Sequence, residues 1–115
     1  MKDMPKEIIK IVDDFLENVT KLLGTHMKNI ILYGSYARGD YNKSSDIDIM
    51  ILTDLDDKNI IKYRDEIWNS AYDIELEKNI VISPIIRNID KFNYYVEALP
   101  FYMNIKREGV VLKWN

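Results

Sequence analysis

The stretch Leu32-Tyr33-Gly34-Ser35-Tyr36-Ala37-Arg38-Gly39-Asp40-Tyr41-Asn42-Lys43-Ser44-Ser45-Asp46-Ile47-Asp48-Ile49-Met50-Ile51-Leu52 decides the fold of this chain. Two apolar runs, Asn29 to Tyr33 and Asp46 to Leu52, predict neighbouring buried strands. Between them, Gly34 lets the backbone turn tightly because no Cβ restricts φ. Ser35 suits the first turn of a short helix, where unpaired backbone N–H groups attract phosphate.

Two acids open the second run. Asp46 and Asp48 are two residues apart on the predicted strand, so both carboxylates project from one face while Ile47, Ile49 and Ile51 point to the other. Adjacent carboxylates repel each other, and a divalent cation is the usual compensation. Mg²⁺ binds one or two protein carboxylates and fills its other positions with substrate phosphates and water. The two ends of this connection therefore predict a site for a nucleoside triphosphate.

Gly34-Ser35, ten residues and then Asp46-x-Asp48 resembles the nucleotidyltransferase motif of the DNA polymerase β-like superfamily. The fuller pattern Gly-Ser-Tyr-Ala-Arg-Gly…Ser-Asp-Ile-Asp, in so short a chain, is similar to the minimal nucleotidyltransferase family. The resemblance implies an α/β (α+β) nucleotidyltransferase fold, with a small mixed β-sheet packed by helices on one side. We expect residues 1–115 to form a single domain of this kind.

The resemblance also implies the chemistry. Catalytic Asp46 and Asp48 would hold Mg²⁺, and a nucleoside monophosphate, AMP from ATP, would pass to a protein or small-molecule hydroxyl. Nucleotide binding is expected at Gly34, Ser35, Arg38 and Ser45. Two of these assignments have equal alternatives: Arg38 either stabilises phosphate or pairs with a loop carboxylate (Asp40 or Asp46), and Ser45 is either a ligand or a local cap.

One position departs from the family pattern. Active relatives usually carry a third acid on the next strand, and here Val81 is expected in its place. Minimal nucleotidyltransferases commonly act as antitoxins that modify or bind a protein of the HEPN (higher eukaryotes and prokaryotes nucleotide-binding) family. Three hypotheses follow: an active nucleotidyltransferase that adenylylates a protein or small-molecule hydroxyl, a catalytically weak domain that acts by binding a HEPN-family partner, and a structural domain with a vestigial site.

Composition excludes several classes. The formal net charge is −3, and no Lys/Arg block exceeds the pair Lys106-Arg107, so a long nucleic acid is a disfavoured substrate. The chain has no cysteine, which excludes disulfides and thiolate metal sites. No apolar run approaches the roughly 18 residues that span a bilayer, and the N-terminal Met1 to Pro5 lacks a signal peptide's apolar stretch. We expect a cytoplasmic protein without membrane contact.

The remaining segments predict a mixed arrangement. Residues Lys6 to Leu23 form an amphipathic helix between Pro5 and Gly24. Residues Asn59 to about Leu76 place Ile60, Ile61, Ile67, Trp68, Ala71 and Ile74 on one helical face. A third strand covers Ile80 to Ile86, and Pro84 indicates that this strand either lies at an edge or ends near that residue. One or two helices follow, at Asp90–Leu99 and Phe101–Glu108, and Val110 to Leu112 predicts a last strand.

Three minor features have structural interpretations. His26, the one histidine, is expected in a loop rather than at a metal. Asp54, Asp56 and Asp57 suit the start of the following helix better than a metal site. The aromatic cluster Tyr94, Tyr95, Phe101 and Tyr102 favours core or partner packing over stacking on a nucleobase. If these rings formed an exposed patch, it would indicate a homo-oligomer.

Overall fold

The computed structural model describes residues 4–114. These residues form one sheet with helices between its strands, and a 3₁₀ turn at Gly24–His26 follows the first helix. In chain order the elements are α1 (Lys6–Leu23), β1 (Met27–Tyr33), α2 (Ser35–Arg38), β2 (Ile47–Thr53), α3 (Asp57–Lys78), β3 (Ile82–Asn88), α4 (Ile89–Tyr95), α5 (Pro100–Glu108) and β4 (Val110–Trp114). No helix in this part of the chain is long and apolar enough to cross a membrane.

The sheet has the strand order β3-β2-β1-β4. Strand β1 runs antiparallel to both β2 and β4, whereas β2 and β3 are parallel. Parallel neighbours need a crossover, and α3 supplies it between β2 and β3. Strand β3 is an edge strand and continues to Asn88, so the first of the two alternatives for Pro84 is confirmed; a proline lacks the N–H that an inner strand would need.

The larger core lies between one face of the sheet and helices α1 and α3. Ile47, Ile49 and Ile51 of β2 point into it, as their alternation predicted, and they are fully buried. Phe15 of α1 and Ile67 of α3 pack against them. Removing such side chains from water stabilises a fold by about 1.5–3 kcal/mol each, so this face anchors the sheet.

The opposite face of the sheet carries a second, smaller core. Met50 and Leu52 of β2 pack there with Phe92 of α4 and Ile105 of α5. The mixed α/β class is confirmed, but the expectation of helices on one side only was wrong. The physical reason is that the even-numbered residues of β2 are also apolar after Asp48, so this face needs its own cover.

Several boundaries differ from the sequence-based prediction by one or two residues. Strand β2 begins at Ile47, so Asp46 lies just before it, and β3 covers Ile82–Asn88 rather than residues 80–86. Asp56 caps α3 by accepting a hydrogen bond from the N–H of Asn59 at 2.9 Å, as the acidic segment predicted. His26 lies in the 3₁₀ turn between α1 and β1, where it is exposed as expected, and its Nδ1 lies 2.8 Å from Asp54 Oδ1.

Candidate active site

The turn after β1 is built around Gly34. Its φ of 76° and ψ of −157° lie in a region that only glycine adopts readily, and α2 begins at the next residue, Ser35. A Cβ atom on Gly34 would lie 2.2 Å from Asp48 Oδ2, far closer than atoms can approach. The turn and the Asp48 carboxylate are therefore in direct contact, and glycine is required both for the backbone angle and for the space.

Strand pairing explains this contact. Tyr33, the last residue of β1, is directly opposite Asp48 in the antiparallel pair β1–β2. The two strands therefore bring the start and the end of the predicted connection together. The first hydrogen bonds within α2 are donated by Ala37 and Arg38 to the Gly34 carbonyl, so the N–H groups of Ser35 and Tyr36 are not used inside the turn.

The two acids lie close to each other at this end of the sheet. Burial and, secondarily, the charge of Asp46 raise the pKa of Asp48 above its ordinary value, while Arg38 opposes this shift. The Asp46 carboxylate reaches the same face as Asp48, because it contacts Ser83, the residue beside Asp48 on β3. The predicted convergence of both carboxylates on one face is thus present in the structure.

The register of β3 corrects the expected place of Val81. In the parallel pair β2–β3, Asp48 is directly beside Ser83, and Val81 precedes the strand. The Val81 carbonyl accepts a hydrogen bond from the Ile47 N–H at 2.8 Å, whereas the Ser83 hydroxyl donates to Asp46 Oδ2 at 3.2 Å. A serine, not a valine and not an acid, therefore stands beside the pair. Among the described residues no three acid, histidine or cysteine side chains form a metal-binding group.

Arg38 takes the pairing alternative in this structure. Its Nε donates to Asp40 Oδ2 at 3.1 Å and its Nη1 to Glu108 Oε2 at 3.2 Å. These hydrogen bonds, first to Asp40 and then to Glu108, raise the pKa of Arg38. Glu108 ends α5, so Arg38 ties the short helix α2 to the C-terminal part of the chain. The positive charge of Arg38 also acts to lower the pKa of Asp48, so Arg38 lies near the two acids.

Ser45 closes the loop before the acids. Its Oγ accepts a hydrogen bond from the Asn42 N–H at 2.9 Å, and its own N–H donates to the Asn42 carbonyl at 3.1 Å. The Ser44 N–H donates to Asn42 Oδ1 at 2.8 Å. The structure thus gives Ser45 the local role that was one of its two interpretations, and no nucleotide contact is needed to explain it.

A cleft of about 250 Å³ opens beside the turn. Its lining residues come from the end of β1, the turn, α2 and α5: Tyr33, Gly34, Arg38, Phe101, Asn104, Ile105 and Glu108. The ring of Phe101 contacts Tyr33 edge-to-face with centroids 5.7 Å apart. Burial, with a smaller contribution from Asp48, raises the pKa of Tyr33 to about 12. Of the predicted aromatic cluster, Tyr102 packs against the smaller core, while Phe101 is exposed at this cleft.

Sequence reasoning missed Ser83, Glu108 and Tyr33 as parts of this neighbourhood. Tyr33 directly precedes the Gly-Ser pair, so its place at the strand end was a usable signal. Ser83 and Glu108 come from distant elements, and only the strand register and the packing of α5 bring them to the site.

Comparisons with known proteins agree with this geometry. The model of the nucleotidyltransferase domain family matches residues 7–112. One relative from Methanocaldococcus jannaschii is 39% identical over 80 residues, covering 70% of this chain and 79% of the relative. A second from the same organism is 34% identical over 103 residues, covering 90% of this chain and 95% of the relative. Both carry the provisional name of protein adenylyltransferase.

Solved structures share the fold at low sequence identity. A provisionally named nucleotidyltransferase from Sulfolobus solfataricus has a TM-score of 0.58 at 17% identity, covering 97% of this chain and 91% of that one. A chain from a toxin–antitoxin crystal structure with AMP-PNP has a TM-score of 0.50 at 20% identity, covering 86% of this chain and 73% of that one.

A glycine-serine turn held against paired acids, together with a family match over nearly the whole chain, defines a class of protein. The chain belongs to the nucleotidyltransferase domain family and is a minimal nucleotidyltransferase. The predicted family and enzyme class are confirmed.

Proposed function

We propose that this protein transfers AMP from ATP to a hydroxyl on a partner protein in a Mg²⁺-dependent reaction, as the antitoxin of a pair with a HEPN-family protein. One observation carries the proposal: the Asp48 carboxylate contacts the turn at Gly34 and has Asp46 beside it. A group that binds phosphate and a group that binds a divalent cation therefore meet at one point. Triphosphate substrates with bound metal need this combination.

The residues present fit Mg²⁺. Asp46 and Asp48 supply the carboxylate oxygens that this hard cation prefers, and their mutual repulsion gives the site a need for positive charge. When bound, the metal would neutralise negative charge on the phosphates. Substrate phosphates and water complete the coordination of such ions, so two protein carboxylates are a sufficient protein contribution.

The turn would bind and orient the phosphates. The N–H groups of Ser35 and Tyr36, which are not used within α2, and the Ser35 hydroxyl offer donors next to Asp48. Arg38 would add a positive charge after leaving Asp40 or Glu108, because both of its pairs are exposed and weak. Ser45 has a smaller claim, since it is already bonded within the loop.

A protein acceptor is the best fit to the chain's charge and to its relatives. The formal net charge of −3 disfavours binding to a nucleic-acid backbone. The relatives from M. jannaschii are named for transfer of an adenylyl group to protein. The toxin–antitoxin structure with AMP-PNP supports an ATP-like nucleotide and a protein partner as the first ones to test here.

The test is transfer of label from α-labelled ATP. The wild-type protein is incubated with Mg²⁺ and ATP, alone and with a HEPN-family protein as the candidate acceptor, and label on protein is measured on a denaturing gel. We expect label on the partner, its loss with Asp48→Asn, and its retention with Asp65→Asn, which removes an exposed acid from α3. Absence of label with wild-type protein in both conditions would overturn the transfer reaction. Full labelling by Asp48→Asn would overturn the assignment of the acids.

A second function, nucleotide-dependent binding of the same partner without efficient transfer, is favoured by one observation. The position beside Asp48 on β3 holds Ser83, so no third carboxylate joins the pair there. If wild-type protein binds Mg²⁺-ATP and the partner by calorimetry but transfers no label, this function replaces the first.

A further inference from the structure

We infer that Ser83 is a positioning residue, whose hydroxyl holds the carboxylate of Asp46 on the same side as that of Asp48. Its Oγ donates a hydrogen bond to Asp46 Oδ2 at 3.2 Å, at the end of the sheet where the parallel pair β2–β3 begins. The inference deepens the proposed function and rests on it for the use made of the two acids.

Asp46 needs such a contact because strand pairing does not orient it. It lies in the link between the loop and β2, and it is exposed. Its backbone is held on both sides, by the Asn42–Ser45 turn before it and by the hydrogen bond from Ile47 N–H to the Val81 carbonyl after it. Its side chain, in contrast, is free to rotate toward water unless another group binds it.

Charge repulsion makes that rotation favourable. Two carboxylates at close range repel each other, and the exposed one can relieve the repulsion by turning away. The hydrogen bond from Ser83 opposes this movement, and because it is exposed and long at 3.2 Å, its contribution is a modest bias toward one rotamer of Asp46. Ser83 is fixed in turn, because it is a strand residue directly beside Asp48.

The chemistry of the serine suits this role. A lysine or arginine at this position would also bind Asp46, but its charge would cancel that of the acids and weaken their attraction for a cation. A hydroxyl orients the carboxylate while leaving its charge intact. It also occupies only one oxygen of Asp46, Oδ2, so the other carboxylate oxygen remains for a ligand.

Ser83→Thr and Ser83→Val form a matched pair for the test. Both side chains are branched, have nearly the same size and suit a strand, but only threonine retains the hydroxyl. Mn²⁺, used as the probe for Mg²⁺, is titrated into each variant with ATP and followed by electron paramagnetic resonance. We expect the valine variant to bind Mn²⁺ roughly tenfold more weakly than wild type, which is the usual effect of removing a residue that hydrogen-bonds to a metal ligand. The threonine variant should match wild type, and thermal melting shows whether both variants fold.

A second measurement uses no metal. The Hα–Hβ coupling constants of Asp46, measured by NMR on the metal-free protein, report whether its side chain keeps one rotamer. We expect one rotamer in wild type and Ser83→Thr and averaging in Ser83→Val. Averaged couplings in wild type, or equal Mn²⁺ affinity of the two variants, would overturn the positioning role. A fixed rotamer in a wild-type protein that binds no Mn²⁺ would support the positioning role and overturn the proposed function instead.

Discussion

Gly34→Ala separates the strain of the turn from its contact with Asp48. The alanine must adopt φ 76° and ψ −157°, which costs about 1–3 kcal/mol for a residue with a Cβ. Its Cβ would also lie 2.2 Å from Asp48 Oδ2. The Asp48 side chain must therefore turn away from its rotamer, which costs about 0.5–1.5 kcal/mol. The sum is about 3 kcal/mol, which lowers the Tm of a domain of this size by roughly 12 °C.

The two contributions can be measured separately with a double-mutant cycle. In an Asp48→Ala background the carboxylate is absent, so Gly34→Ala should lose only the backbone contribution. Chemical unfolding of the four proteins should give a coupling of about 1 kcal/mol between the two sites. Mn²⁺-ATP binding should also fall in Gly34→Ala, since the displaced carboxylate is a proposed ligand.

Gly39→Ala is the matched control at the other end of α2. Gly39 has φ 90° and ψ 3°, and a Cβ there would meet nothing within 4 Å. We expect it to lose about 1 kcal/mol from the left-handed backbone and to bind Mn²⁺-ATP as wild type does. Additive effects of Gly34→Ala and Asp48→Ala, with metal binding unchanged in Gly34→Ala, would refute the close contact as the reason for this glycine.

Three further predictions concern the charges around the site. Asp48→Asn should be more stable than wild type at neutral pH. Burial and the charge of Asp46 raise the pKa of Asp48, so the folded protein binds the Asp48 carboxyl proton more tightly than the unfolded chain does. Wild type therefore loses stability as pH rises through the folded pKa, whereas the asparagine variant does not. Urea unfolding should therefore show that the difference in free energy of unfolding between Asp48→Asn and wild type disappears at acidic pH. Arg38→Ala should weaken Mn²⁺-ATP binding roughly tenfold and leave the melting curve almost unchanged, because its ion pairs are exposed. Glu108→Gln, which removes one ion-pair partner of Arg38, should not weaken Mn²⁺-ATP binding. Equal affinity of Arg38→Ala and wild type for Mn²⁺-ATP would show that Arg38 only connects α2 to α5 and does not contact the nucleotide. Ser83→Asp should lower stability without metal but raise Mn²⁺ affinity roughly tenfold and increase label transfer. Ser70→Asp on α3 adds the same charge as a control, and unchanged transfer in Ser83→Asp would show that a third acid does not limit the reaction.

Local sequence signals predicted those elements that depend on local interactions. The bounds of α1 agree with the structure because Pro5 and Gly24 mark its ends and its apolar spacing is regular. The predicted apolar face of α3 was wrong in part. Ile61 and Trp68 are 59% and 47% exposed, whereas Ile60 and Ile67 are buried. Neighbouring residues on a helix point about 100° apart, so one sheet cannot cover both members of each pair.

The site shows the same division between local and distant interactions. Gly34, Ser35 and the two acids could be found from the sequence because one strand–turn–strand segment contains all of them. The pairing of Asp46 with Ser83 joins residues 37 positions apart, and that of Arg38 with Glu108 joins residues 70 positions apart. The first depends on the register of two parallel strands joined through α3, and the second depends on the placement of α5. Neither is encoded in a local pattern.

The site therefore combines one contact set by the β1–β2 pair with two contacts made by residues of other elements. The pairing of Tyr33 with Asp48 fixes the distance between turn and acid at the base of the loop, so we expect changes at the exposed loop residues between them to leave the contact intact. Ser83 and Glu108 act on Asp46 and Arg38 from separate elements, and each can change without disturbing the β1–β2 pair. Under the proposed function, the strand pair would determine where a triphosphate binds, while Ser83 of β3 and Glu108 of α5 would affect the orientation of Asp46 and the availability of Arg38.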